Sequence, residues 1–221
     1  MGLSHSPRIV TDGLILCLDA ANKRSYPGAG TTWTDLTANK NNGTLTNMDG
    51  SNFSNNGAGS LTFDGASDYI DFNAIDITGF NSISVFQIAR KNVSNTLRSV
   101  SINHSNNDDI AIYWGAGDSL VRVDDGTAYD INFPAAALEF MFIGLVFDGS
   151  VLTCYKNGTK VNSVSASFNF STASGDLRIG SHASGAANFF NGRISQTLIY
   201  NRALTADEVR QNYFATKGRF Q

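Results

Sequence analysis

The sequence predicts an all-β antiparallel sandwich closed by one short C-terminal helix, and three observations predict it. Short apolar runs recur about every ten residues along most of the chain, the spacing of a sandwich or barrel. Turn signals separate them, among them Asp148-Gly149, Asp124-Asp125-Gly126 and Asn157-Gly158. Only the last quarter carries a helical pattern.

The elements follow in order. Gly13–Asp19 reads as a first strand and Tyr26–Gly30 as a loop. Trp33–Leu36 precedes a polar tract, then Gly43–Thr46. Ser60–Asp64 and Tyr69–Phe72 flank the turn Gly65–Asp68. Further strands are expected at Ser82–Arg90, Arg98–Asn103, Ile110–Trp114, Leu120–Val123, Phe140–Phe147, Val151–Lys156, Thr159–Val164, Asp176–Ile179 and Arg193–Tyr200. The Asn-Gly pair between Lys156 and Thr159 marks the most secure hairpin. Thr205 and Glu208 have the spacing of a capping box, and Leu204 with Val209 that of a hydrophobic staple. Val209 and Tyr213 share a helix face, and Gly218 is the expected stop.

A chain of 221 residues fits one large β domain, able to bury about 70–75% of its unfolded surface. Residues 11–221 are read as that domain and residues 1–10 as a polar arm outside the core. Net charge is −3 with the charges interspersed, which supplies no footprint for nucleic acid and no polybasic membrane patch. No apolar run at the start resembles a signal peptide, and none is long enough to span a membrane. Cys17 and Cys154 sit in apolar strand patterns and are read as reduced, buried thiols, with a disulfide between strands as the alternative.

Several segments carry a resemblance. Ile9–Asn22, Ser25–Trp33, Asn42–Thr46, Leu61–Gly65 with Asp68–Ile70, Val146–Gly149 with Tyr155–Gly158, and Asn191–Ile194 with Ile199–Thr205 resemble laminin-G-like, concanavalin A-like jelly-roll domains. The match runs over about residues 9–217 and implies an antiparallel jelly-roll β-sandwich. Phe140 stands where the family often has Trp, and is expected to fill the same core slot. The opening segment resembles those of virion and tail-associated proteins of tailed bacteriophages. That resemblance implies a module displayed on a virion in many copies, in contact with other virion proteins, and binding host-surface glycans. A purely structural virion protein without a ligand is the rival reading.

The same fold includes glucanases, which need two carboxylates about 5–5.5 Å apart. This chain has only Glu139 and Glu208, and the helix cap explains Glu208, so no enzyme is expected. His5, His104 and His182 lack metal-ligand spacing. Calcium is the metal the residue types would suit, with Asp64 and Asp68 supplying two carboxylates from one turn; the alternative is that they only shape that turn. For a sugar, Trp114 is the expected stacking platform, with core packing as its alternative. The polar loop His104, Asn106, Asn107, Asp108 and Asp109 precedes it, and Tyr129, Phe189 and Phe190 are further candidates.

Overall fold

A computed structural model describes residues 7–55, 59–72, 75–92, 97–105, 108–115, 119–170, 176–183 and 187–220, with the backbone alone at 103–105 and 108–109. The strands are β1 (Leu14–Asp19), β2 (Thr32–Trp33), β3 (Gly43–Thr46), β4 (Phe53–Ser54), β5 (Ser60–Asp64), β6 (Tyr69–Phe72), β7 (Ile83–Lys91), β8 (Leu97–Ser105), β9 (Asp108–Trp114), β10 (Ser119–Asp124), β11 (Ala128–Phe133), β12 (Met141–Phe147), β13 (Val151–Lys156), β14 (Thr159–Ser165), β15 (Asp176–Ile179) and β16 (Asn191–Tyr200). One helix, α1 (Ala206–Thr216), follows them. The expected strands are present within a residue or two; β2, β4 and β11 are additional.

Among the described residues two antiparallel sheets form. The first runs β14-β13-β12-β7-β16-β5-β4, with β1 also paired to β16. The second runs β11-β10-β9-β8-β15-β6-β3-β2. The ten-residue β16 pairs with β5 through Asn191–Ile194 and with β1 through Gln196–Tyr200, so the last strand is bonded to two strands from the first third of the chain. The jelly-roll sandwich is thus as expected. Between the sheets lies one core that includes Leu16, Trp33, Phe63, Ile112, Val121, Phe133, Leu145 and Ile199.

The two sheets differ on their outer faces, and the sequence records the difference. Every residue of β12 is buried, because its inner face meets the core and its outer face meets a second apolar cluster. That cluster holds Phe86, Phe142, Tyr155, Leu198, Tyr200, Leu204 and Val209. The helix α1 covers it. Thr205 Oγ1 accepts the Glu208 N–H, and Glu208 Oε2 accepts the Thr205 N–H at 2.8 Å, so the capping box is closed. Leu204 and Val209 are both buried, completing the staple, and each fully buried apolar side chain here is worth about 1.5–3 kcal/mol. Gly218 is not a left-handed stop: the chain passes through it in a 3₁₀ turn, Lys217–Arg219, and its φ is not positive. The Asn157-Gly158 hairpin has positive φ at both residues, 51° and 75°, as a type I′ turn requires.

In the second sheet β3, β6, β15 and β10 alternate instead, whereas β8 and β9 are buried at every described side chain. Thr44, Thr46, Tyr69, Asp71, Asp176 and Arg178 are outward, while Leu45, Ile70, Leu177 and Ile179 are buried. No helix covers that outer face among the described residues.

Val10, read as part of the arm, is held by the folded chain. Val10 is buried in the second cluster; its N–H donates to Asn212 Oδ1 at 2.8 Å and its carbonyl accepts the Tyr200 hydroxyl at 3.0 Å. A polar-looking segment is held because α1 offers it partners. Residues 1–6 of the expected arm lie outside the described residues. Phe140 precedes β12, half-buried beside Arg90, whose guanidinium lies 5.5 Å from its ring; it packs on the second cluster and does not enter the core between the sheets. Cys17 and Cys154 are free buried thiols on opposite faces of the first sheet, and burial pushes both up to about 12.

Candidate functional site

Trp114 is not a platform. Its ring is fully buried, edge-on to Phe133 at 5.9 Å and tilted against Phe190 at 5.7 Å. Its indole N–H donates to Ser99 Oγ at 2.7 Å. Alternation puts Trp114 on the same side of β9 as Ile110 and Ile112, which is the inside. Phe190 is likewise core. Tyr129 packs partly against the core, with its hydroxyl 3.3 Å from Ser167 Oγ. Asn106 and Asn107, and the side chains of His104, Asp108 and Asp109, lie outside the described residues. The backbone of Asp109 pairs with Asp124 of β10.

The turn between β5 and β6 uses both of its carboxylates. Asp64 Oδ1 accepts the N–H groups of Ala66 (2.8 Å), Ser67 (2.9 Å) and Asp68 (3.1 Å). Its small burial raises its pKa, but the bonds from Ser67, Ala66 and Asp68 outweigh this and lower it. Asp68 is buried, and its Oδ2 accepts from the Asp64 N–H (3.0 Å) and the Asn52 amide (2.9 Å). Burial, then the Asp64 charge, raises its pKa. Calcium takes about six to eight oxygens. Among the described residues no three His, Cys, Asp or Glu gather as metal ligands. Both carboxylates are engaged in shaping the turn.

A different set of residues meets on the outer face of the second sheet, at β3, β6 and β15. Tyr69 begins β6, and the Arg178 guanidinium of the neighbouring β15 lies 4.7 Å from its ring. Arg178 Nε donates to Asp71 Oδ1 at 3.0 Å, across the register pair Arg178–Asp71. Phe189, half-buried, lies 6.4 Å from the Tyr69 ring. On the other side, Thr44 faces Asp71 and Thr46 faces Tyr69. Asn42, Thr44, Thr46 and Asp71 line a polar recess of about 210 Å³. Aromatic faces thus stand beside hydroxyl, amide, carboxylate and guanidinium groups on rigid strands. Two further cation–ring contacts continue the pattern across the face: Arg98 and Arg122 lie 4.6 and 5.0 Å from the Tyr113 ring. Arg122 also pairs bidentately with Asp130, both bonds at 2.7 Å, and that bonding raises its pKa.

Of the expected ligand residues whose side chains are described, only Phe189 belongs to this group. Tyr69, Asp71 and Arg178 went unnoticed in the sequence. Alternation alone puts each on an outer face, but Arg178 is 107 residues from Asp71. Only the sheet order makes β6 and β15 neighbours.

The family model of the concanavalin A-like lectin/glucanases superfamily matches residues 63–210, well over half of the chain. The chain belongs to that superfamily. A comparison with curated protein sequences found no match. Solved structures share the fold at low identity. Domain 4 of an extracellular arabinanase from Geobacillus stearothermophilus, in complex with arabinotriose, is 17% identical with a TM-score of 0.71, covering 95% of this chain and 100% of that one. A Trypanosoma rangeli sialidase in complex with sialic acid is 12% identical with a TM-score of 0.70, covering 98% of this chain and 36% of the sialidase. The binding domain of Paraclostridial Mosquitocidal Protein 1 is 16% identical with a TM-score of 0.67, covering 91% of this chain and 52% of that one. The chain therefore spans about a third of the length of the sialidase it resembles.

Proposed function

We propose that this superfamily domain is a non-catalytic module that binds glycans on the open face of its second sheet. The observation that carries the reading is the Tyr69 ring beneath Arg178, with Asp71 and the threonine-lined recess next to it. A sugar's C–H face covers an aromatic ring while its hydroxyls take polar edges, and planar Arg offers a fixed fork of donors. The whole-length likeness to an arabinanase domain bound to arabinotriose supports the same class of ligand. The carboxylate inventory supports a non-catalytic role. Glu139 is exposed, and Glu208 is held by Arg202 at 2.6 Å and by the Thr205 cap.

The setting we propose is the particle of a tailed phage, where many copies decorate the surface or tail and help it adhere to host glycans. The resemblance of the opening segment supports that setting. Such a protein is assembled in the host cytoplasm with other virion proteins and displayed outside. Single-site affinity is expected to be weak and adhesion to come from many copies acting together.

A glycan array with the purified protein and with Tyr69→Ala tests the binding. Retention of particular glycans by the native chain, lost in a folded Tyr69→Ala variant, is expected. Binding by neither would favour a structural piece without a ligand, and release of sugars from bound polysaccharide would overturn the non-catalytic reading. Detection of the protein in purified virions tests the setting.

A further inference from the structure

We propose that a second saccharide site, for a neutral sugar, lies in a rim cleft walled by Phe80 and Phe168 and edged by Asn81, Asn169 and Asp148. This rests on the reading of the domain as a glycan binder and adds a site built from other elements. The cleft occupies about 500 Å³, within the range of roughly 300–1,000 Å³ typical of small-molecule sites. Three segments form it: the connection from β6 to β7, the β12–β13 turn and the stretch that follows β14.

Its shape is fixed from beneath. Phe170 is buried and lies against Phe147 of the core at 6.1 Å. It holds Phe80 at 6.2 Å and, edge-on, Phe168 at 4.9 Å, both half-buried. Asp148 Oδ1 closes the β12–β13 turn by accepting the N–H groups of Ser150 (2.9 Å) and Val151 (2.8 Å). Gly149, at φ +99°, lets that turn meet the β6–β7 connection, since a Cβ there would sit 2.8 Å from the Asn81 carbonyl oxygen. The third segment is tied to the β10–β11 turn, where Asp125 Oδ2 accepts the Asn169 N–H at 2.8 Å.

The lining selects the ligand class. Half-buried rings offer stacking faces, and the exposed amides of Asn81 and Asn169 offer both donors and acceptors. Among the described residues lining the cleft the charged group is Asp148, with no Lys or Arg, so an acidic sugar meets repulsion and a neutral one does not. The Tyr69 face, by contrast, carries a guanidinium.

The test is a titration of the full chain, isotope-labelled, with neutral trisaccharides (arabinotriose, cellotriose and maltotriose), following side-chain amide signals by NMR. The signals of Asn81 and Asn169 are expected to move, to stop moving in Phe168→Ala, and to keep moving in Tyr69→Ala. Asn81→Ala, in an exposed loop, replaces Phe168→Ala if that variant does not fold, with Asn169 as its reporter. If only signals near Tyr69 respond, the rim site is wrong and the glycan-binding reading stands. If nothing responds to these trisaccharides and the glycan array is also blank, both readings fall together.

Discussion

The indole N–H of Trp114 donates to the Ser99 hydroxyl at 2.7 Å, the first bond of a chain that joins the two sheets through Ser99 and Gln87. Ser99 in turn donates to Gln87 Oε1 at 2.6 Å, and the Gln87 amide donates to Thr197 Oγ1 at 3.0 Å. Gln87 and Thr197 belong to β7 and β16 of the first sheet, Ser99 and Trp114 to β8 and β9 of the second. Ser99 reaches inward because the β8–β9 register shifts between Arg98 and Val100, a bulge that re-aims its side chain.

That network predicts an unequal pair of mutants. Ser99→Ala leaves the indole N–H and a Gln87 oxygen buried without a partner, for a loss of about 1–3 kcal/mol. Trp114→Ala adds a cavity and is expected to cost about 3–5 kcal/mol. Denaturant unfolding measures both. A Trp114→Ala variant of native stability would show the ring to be exposed after all.

The helix cap predicts a pH dependence. The bonds from Arg202, then those from Thr205, outweigh burial and hold Glu208 at about 2, against an ordinary 4.5. A carboxylate depressed in the folded state stabilises above its unfolded value and loses that contribution as pH falls. The loss therefore belongs between about pH 4.5 and pH 2. Glu208→Gln is expected to flatten stability against pH in that window, and Thr205→Ala to cost about 1 kcal/mol at neutral pH. Identical acid profiles for the native chain and Glu208→Gln would contradict the Arg202 pairing.

Asp64 predicts a turn that stands without an ion. Asp64→Ala removes the acceptor of three backbone N–H groups and is expected to cost about 1 kcal/mol, as a lost cap does. The melting temperature is expected to be the same in calcium and in chelator. A calcium-dependent rise that Asp64→Ala abolishes would restore the metal reading, because an ion binding only the folded form raises its stability.

Tyr200 predicts the strength of the N-terminal tie. Its buried hydroxyl donates to the Val10 carbonyl and accepts from Asn212 Nδ2, each at 3.0 Å. Tyr200→Phe strands both partners and is expected to cost about 1–3 kcal/mol. Hydrogen exchange at Val10, whose N–H is held by the same Asn212, is expected to quicken. Unchanged exchange there would mean that the segment is held by packing alone.

Much of the fold was legible along the chain. Alternation, turn dipeptides and one capped helix are local signals, and they located most strands and α1 within a residue or two. Even β12, which does not alternate, read as a strand from its apolar run; the structure explains the run by burial on both faces. β11 went unread although Tyr129, Ile131 and Phe133 alternate with Ala128, Asp130 and Asn132, because it is short and only two of its residues are fully buried.

The candidate site was largely not legible, and the reason is physical. Trp114 sits in a polar, glycine-rich neighbourhood that suggests exposure, yet its side is set by the β9 pairing and by Ser99 offering it an acceptor. The sequence by itself determined that Tyr69, Asp71 and Arg178 each lie on an outward position of a strand, since side-chain direction follows the period of two. That those positions meet, and that α1 covers the other sheet, follows from the order in which the strands pair. Contacts between strands more than a hundred residues apart depend on sheet order, which no local pattern encodes.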